Sequence, residues 1–209
     1  MSTLEMRYKT YEFDGLDIHL RTLKDTQQFE DVDNAAEKLG INSTVWPLFG
    51  VLWPSGEVLA KLMVTKPIEG LRILEMGCGV GLPSLVLNSR DADVTASDQH
   101  PLSETFLGEN TKLNKSSDIP FHVADWANYD EELGKFDLII GSDLLYQPDH
   151  APLLAKFVHN HAKDKAEVIL VDPRRGNVSK FKKEMTLLNF SHEVTYSEGF
   201  KGQVINFIR

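Results

Sequence analysis

The sequence predicts an α/β domain. Its sheet is mostly parallel, with helices on both faces, a C-terminal antiparallel hairpin and an N-terminal β-hairpin extension. Three observations predict it. From residue 71 onward, short apolar runs of strand length alternate with segments of helical periodicity, the pattern of a parallel sheet. The last two β-prone runs, 192–196 and 203–208, follow one another directly with Gly199 and Gly202 between them. Near the start, Asp14-Gly15 separates the β-prone runs 7–13 and 16–20, which favours a type I′ hairpin turn.

The elements follow in order. Residues 25–40 are polar, with Ala35, Ala36 and Leu39 at helical spacing, and predict a short helix. The aromatic, Pro- and Gly-rich stretch 45–56 reads as a structured loop, followed by a helix over about 55–65 with Ser55 as its N-cap. Strands are expected at 72–76, 92–97, 120–124, 136–141 and 167–171, and helices at 82–90, 101–114, 149–163 and 178–189. The expectation is one domain over 1–209, with 1–44 an extension and 45–209 the cofactor-binding and catalytic core.

The chain has 209 residues, enough to bury a substantial core. Its 42% hydrophobic and 25% charged content is ordinary for a globular protein. A formal net charge of −9 disfavours sequence-independent nucleic-acid binding, which relies on neutralising phosphates. Lys180, Lys182 and Lys183 form the densest basic cluster and read as a solvated helix face. Cys78 is the single cysteine, so no intramolecular disulfide forms; this suits a reducing cytoplasm, and its place between glycines reads as packing. The seven histidines show no zinc spacing, so no metal site is expected. No signal core is read at the N-terminus, and no run of about 18 apolar residues, so no membrane association is expected. The oligomeric state is open and compatible with a monomer.

The chemistry centres on Ile73-Leu74-Glu75-Met76-Gly77-Cys78-Gly79-Val80-Gly81, which ends a strand and opens a helix. Glycines allow a tight turn and close ligand approach, and the helix start offers free N–H groups. A glycine turn alone is weak evidence, because dinucleotide enzymes use one as well. Here the spacing is G-x-G-x-G, and Glu75 stands two residues before Gly77. A carboxylate there would repel a pyrophosphate. It suits a ligand bearing an ammonium group, such as the methionine part of S-adenosylmethionine. Asp98 ends the next strand, about twenty residues on, where a carboxylate accepts from ribose hydroxyls or else caps a helix. Asp125, with Trp126 beside it, ends the following strand. It is read as an acceptor for an adenine amino group or as a loop cap.

Together with Ser142-Asp143-Leu144-Leu145-Tyr146, these residues resemble the Rossmann-like, seven-strand (class I) S-adenosylmethionine-dependent methyltransferases. More narrowly, they resemble the protein-lysine methyltransferase group, methyltransferase family 16, marked by Asp-x-x-Tyr after the fourth strand. A Trp-Pro element ahead of the glycine loop matches at 52–60, and Asp172-Pro173-Arg174-Arg175 resembles an Asp-Pro-x-Arg turn of some members. The resemblance implies S-adenosylmethionine as cofactor, held by Trp53, Glu75, Gly77, Gly79, Gly81, Asp98, Asp125, Trp126 and Ser142. It implies catalytic roles for Asp143 and Tyr146 and a protein substrate. Some relatives modify other residues, so the family alone does not fix the acceptor. The first 44 residues match nothing.

Methyl transfer from a sulfonium needs alignment and exclusion of water more than acid catalysis. Asp143 is read as an acceptor that orients the amine, or as a loop cap; Tyr146 as a pocket wall, or as packing. An acid beside an ammonium favours the charged form, so Asp143 is not simply a base. The absence of an Asn/Asp-Pro-Pro-aromatic motif after the fourth strand argues against amide or base nitrogens as acceptors. The alternatives are a small-molecule N- or O-methyltransferase, a non-catalytic cofactor-binding scaffold and a dinucleotide oxidoreductase.

Overall fold

A computed structural model describes residues 4–28, 31, 34–42, 45–128 and 131–209. The chain opens with the antiparallel hairpin β1 (Met6–Phe13) and β2 (Leu16–Leu23). Asp14 and Gly15 between them have φ of 43° and 94°, the two left-handed positions a type I′ turn requires. Of the helix expected over 25–40, residues 29, 30, 32 and 33 lie outside the described residues. The helical part is α1 (Ala35–Lys38), whose Ala36 and Glu37 N–H groups are capped by the Asp31 carboxylate. Leu39 is 49% exposed, so the expected apolar stripe does not extend to it.

The second sheet has seven strands: β3 (Arg72–Met76), β4 (Asp93–Asp98), β5 (Phe121–Val123), β6 (Phe136–Ser142), β7 (Ala162–Asp172), β8 (Ser191–Thr195) and β9 (Gln203–Ile208). Their order is β5-β4-β3-β6-β7-β9-β8. β9 pairs antiparallel with both neighbours, so it is the single reversed strand, as the terminal hairpin predicts. β7 begins earlier than expected because Phe136 pairs with Ala162 before a register break; the pairing resumes at Leu138 and Glu167.

The central strands read as continuous apolar runs because both faces are covered. Alternate residues serve the two sides. Ile73, Leu138, Ile140, Ile169 and Val171 pack toward α2 (Pro54–Thr65), α3 (Leu82–Asn88), α4 (Leu102–Leu113) and the hairpin. Leu74, Ile139, Val168 and Leu170 pack toward α5 (His150–His161) and α6 (Val178–Leu187).

The start of α2 corrects one expectation. Trp53, not Ser55, is the N-cap residue, and Pro54 occupies the first turn, where its fixed φ suits a helix and its missing N–H costs nothing. Ser55 is inside the helix and buried. The loop expected at 45–56 contains a 3-10 turn, Trp46–Gly50. By length and composition the stretch Trp46–Thr65 is apolar enough to cross a membrane, contrary to expectation. In the fold it is two pieces, the 3-10 turn and α2. The twelve residues of α2 span about 18 Å, short of a hydrocarbon core of roughly 30 Å.

The hairpin is fastened to the domain by two asparagines one helical turn apart. Asn114 Oδ1 accepts from the His19 N–H at 2.8 Å, and its amide donates to the His19 carbonyl at 2.7 Å. Asn110 repeats this at Arg21, with 2.8 and 3.2 Å, and also donates to the Val80 carbonyl at 3.0 Å. The i,i+4 advance of about 6 Å on a helix matches the two-residue advance of a strand, so the side chains imitate a neighbouring strand. Asn110 is fully buried. Asn110→Ala should therefore lower the unfolding free energy by about 1–3 kcal/mol, because buried backbone groups lose their partners. Asn114→Ala, at an exposed pair, should cost less; denaturant titration of both variants checks the order.

Candidate active site

The site forms where the chain order of the sheet reverses, at the carboxyl ends of β3, β4 and β6. Open α/β sheets leave a crevice at such a point. Gly77, Gly79 and Gly81 have φ of 57°, 53° and 77°, so the turn from β3 into α3 runs through left-handed backbone that side chains disfavour. Asp98, at the end of β4, ties this turn down. Its Oδ2 accepts from the Gly79 N–H at 2.8 Å and its Oδ1 from the His100 N–H at 2.8 Å. Burial pushes its carboxyl above the usual carboxylate range.

Glu75 is buried, and its Oε2 accepts from the Ser84 N–H at 2.9 Å and from the Ser84 hydroxyl. Burial pushes Glu75 up to about 8; the Ser84 bonds oppose this, while the Asp98 charge adds to it. One oxygen of Glu75 is thus spent on the first turn of α3, a structural duty that the sequence reading gave to a ligand ammonium.

Ten of the eleven site residues expected from sequence line one cavity of about 730 Å³: Trp53, Glu75, Gly77, Gly79, Asp98, Asp125, Trp126, Ser142, Asp143 and Tyr146. Gly81 does not line it. A Cβ there would collide with Leu107, so its glycine serves the packing of the loop on α4. Gly79 lines the cavity and also has a second neighbour. A Cβ on it would stand 2.8 Å from the Phe49 carbonyl oxygen, so what presses on it is the 3-10 turn seated over the loop.

That turn is the roof of the cavity. Phe49 stacks on His100 with centroids 3.8 Å apart, and Trp46 meets the same imidazole edge-on at 5.5 Å. The Trp53 indole donates to the Leu48 carbonyl at 3.0 Å and closes the far side of the turn. His100 Nδ1 accepts from the Leu102 N–H at 3.2 Å, which assigns the ring proton to Nε2. Burial pushes His100 down to about 4. Sequence reasoning missed both Phe49 and His100, because their partners lie far away along the chain.

Asp125 sits exposed at the rim with both oxygens engaged locally. Oδ1 accepts from the Ala127 N–H at 3.0 Å and Oδ2 from the Asn128 amide at 2.9 Å. The loop-cap reading therefore describes it here, at a position that still faces the cavity. Trp126 packs edge-on to His150 at 5.1 Å.

After β6, Asp143 takes a φ of 56°, and its N–H donates to the Val171 carbonyl at 2.9 Å. Its Oδ1 accepts from Arg175 Nε at 2.7 Å, and its side chain is only 8% exposed. Tyr146 is 40% exposed at the mouth and meets His150 edge-on at 4.6 Å. Desolvation and the charges of Asp98 and Asp143 push its phenol up to about 12, so it stays protonated. Arg175 is a further cavity residue; its signal was the Asp172-Pro173-Arg174-Arg175 turn, which carried no partner for Asp143 in sequence.

The charge of the cavity decides what fits it. Among the described residues five carboxyl groups line it, Glu75, Asp98, Asp125, Asp143 and Asp149, of which Glu75 is held mostly protonated near neutral pH, against one guanidinium, Arg175, already paired. A pyrophosphate would meet repulsion. A ligand bearing a sulfonium and an ammonium fits, as does a cationic acceptor side chain. Among the described residues no group of three or more His, Cys, Asp or Glu could hold a metal.

Residues 36–188 match the model of a family described as lysine methyltransferase. The chain belongs to the lysine methyltransferase family. Similar members include the electron transfer flavoprotein beta subunit lysine methyltransferase of Mus musculus, 28% identical over 137 residues, covering 64% of this chain and 53% of that protein. The calmodulin-lysine N-methyltransferase of Arabidopsis thaliana is 28% identical over 165 residues, covering 73% and 54%. This family member thus spans about half the length of the curated relatives it matches. In fold it resembles the T. thermophilus 16S rRNA N2 G1207 methyltransferase (RsmC) in complex with AdoMet and guanosine. That likeness has a TM-score of 0.71 and 14% identity, over all of this chain and 51% of that one. The magnesium protoporphyrin IX methyltransferase (ChlM) from Synechocystis PCC 6803 with bound SAM is also similar in fold, with a TM-score of 0.57 and 21% identity over 74% of this chain and 77% of that one.

Two predictions follow from the site. Asp98→Ala should weaken S-adenosylhomocysteine binding by about 1–3 kcal/mol, the cost of leaving buried hydrogen-bond partners unpaired; calorimetry measures it, and unchanged affinity would reassign Asp98 to holding the loop. The second concerns pH. His100 is depressed in the fold relative to about 6.5 in an unfolded chain, so its contribution is fully present above that pH and is lost as pH falls toward 4. Between pH 7 and 4.5 the native protein should lose roughly 2–3 kcal/mol more stability than His100→Phe, by denaturant titration at each pH.

Proposed function

We propose that this chain is an S-adenosylmethionine-dependent methyltransferase that methylates a lysine side chain of a protein. The observation that carries the reading is the placement of Asp143 and Tyr146 in the same acidic cavity as the glycine loop and Asp98. Membership of the lysine methyltransferase family supports it. The curated relatives are named for protein acceptors, electron transfer flavoprotein beta subunit and calmodulin, which favours a protein acceptor here too. The single buried thiol, Cys78, suits a reducing compartment, and a cytoplasmic location is part of the proposal.

The residues divide the work. Gly77 and Gly79 would let the backbone approach the cofactor, Asp98 would accept from its ribose, and Trp53, Asp125, Trp126 and Ser142 would complete its walls. When bound, S-adenosylmethionine would supply an electrophilic methyl group to the amine, the sulfonium sulfur leaving as a neutral thioether with the C–S electron pair. Asp143 accepts a hydrogen bond from the acceptor amine and aims it. Tyr146, held as a phenol, walls the mouth with His150. The roof formed by Phe49 and Trp53 limits water, which strengthens every polar contact inside. An acceptor lysine starts from a pKa of about 10.4 and must release its proton to solvent before it attacks.

The test pairs two measurements. Labelled S-adenosylmethionine is incubated with the protein, calmodulin, electron transfer flavoprotein beta subunit and a cell lysate. Label should enter protein and be recovered as methyl-lysine. Label in a small soluble product would favour a small-molecule methyltransferase, and cofactor binding without turnover would favour a scaffold. Asp143→Asn should keep cofactor affinity within about 0.5 kcal/mol while transfer falls steeply, because alignment of the nucleophile dominates this reaction.

A further inference from the structure

We infer that Arg175 is a positioning residue of the transfer site: its guanidinium fixes Asp143 and offsets its charge, so that Asp143 accepts a hydrogen bond from the acceptor amine without holding that amine protonated. The inference rests on the lysine reading above and addresses its main difficulty. A lone carboxylate beside an amine raises the amine pKa by about 1–3 units, the wrong direction for a nucleophile that must be neutral. A carboxylate already compensated by a fixed cation keeps its hydrogen-bonding capacity and loses most of that penalty.

The geometry sets this pair in place before any substrate arrives. Arg175 Nε donates to Asp143 Oδ1 at 2.7 Å, and Oδ2 is the oxygen we assign to the acceptor. Both residues are anchored to consecutive positions at the end of β7. The Asp143 N–H is bonded to the Val171 carbonyl at 2.9 Å, and the Arg175 N–H to Asp172 Oδ1 at 2.7 Å. Asp172 is fully buried, and Arg174 beside it takes a left-handed φ of 68°, so the turn is a defined one and not a flexible arm. Asp143 and Asp172 both favour the charged form of Arg175. Tyr146 from the same loop feels the charges of Asp143 and Arg175. The other ionisable groups lining the cavity, among the described residues, are Glu75 and Cys78 at the glycine loop, Asp98 and His100 at the end of β4, Asp125 after β5, and Asp149 and His150 at the start of α5. Among the described residues Arg175 is the one lysine or arginine that lines the cavity with these carboxyl groups.

The experiment is a pH profile of kcat/KM with the protein acceptor that takes label in the assay above. Native protein, Arg175→Met, Arg175→Lys and the double variant Arg175→Met with Asp143→Asn are compared, with S-adenosylhomocysteine affinity measured on each preparation. In Arg175→Met the rising limb should move about one pH unit higher, and the rate should recover to within about threefold at the alkaline plateau. Arg175→Lys keeps the charge without the planar fork, so its limb should stay near the native position on a lower plateau. Removing the carboxylate as well should return the limb to the native pH. Affinity for S-adenosylhomocysteine should stay within about twofold throughout, since the pair faces the acceptor. A loss of equal size at every pH, or no loss, would overturn the inference and leave the lysine reading standing. If the native protein labels no lysine, the lysine reading itself fails and this inference falls with it.

Discussion

The bridge made by Asp98 is the contact on which the rest of the site depends. A loop through three left-handed glycines has many conformations open to it in the unfolded chain, and ordering it carries a large entropic cost. One carboxylate at the end of β4 restrains it by accepting the Gly79 and His100 N–H groups. The roof follows from the same bridge. Gly79, once fixed, leaves just enough room for the Phe49 carbonyl, and His100, once fixed, offers its face to the Phe49 ring. Asp98 is itself half-buried beside Glu75, another carboxyl group, and both are pushed up in pKa. Burial is the main cause in both, so the site holds these carboxyl groups desolvated, and a cationic ligand beside them favours their ionised forms.

Much of this was legible in the sequence, for a physical reason. Strands buried on both faces must be apolar throughout, so 136–141 and 167–171 announced themselves, and a single reversed strand followed from two strands in succession. Asp14-Gly15 specified its turn because few residue pairs tolerate two positive φ angles. The site residues were legible because strand ends in an open α/β sheet converge on one edge, so an acid ending each successive strand already implied a common cavity.

What was illegible depends on contacts between distant residues. Ser55 looked like a cap because Ser commonly is one, yet Pro54 one residue earlier took the first helical position. Gly81 looked like a ligand glycine, and its neighbour turned out to be Leu107. The pairing of Asn110 and Asn114 with β2 bridges 89 and 95 residues, and nothing in a helical periodicity marks an asparagine as a surrogate strand. The sequence reading of Glu75 was similarly local: it assigned the carboxylate to a ligand, whereas Ser84, nine residues on, shares it.

The N-terminal hairpin, which matched no motif, acquires a role from where it is fastened. Asn110 joins three segments at once: β2 through Arg21, the glycine loop through Val80, and α4 on which it stands. Val80 lies between Gly79, which carries the bridge to Asp98, and Gly81, which packs on Leu107 of α4. The hairpin is thus coupled to the cofactor loop through one buried amide. Gly50, at the end of the roof, is also held by it, since a Cβ there would collide with the Leu23 side chain of β2. The extension and the roof therefore pack as one unit against the loop, and a change that loosens β2 reaches the cavity along two independent contacts. That coupling gives the hairpin, Met6–Leu23, a physical reason to be there without lining the cavity itself, whereas Gly40, Ile41 and Asn42 of the same extension line it directly.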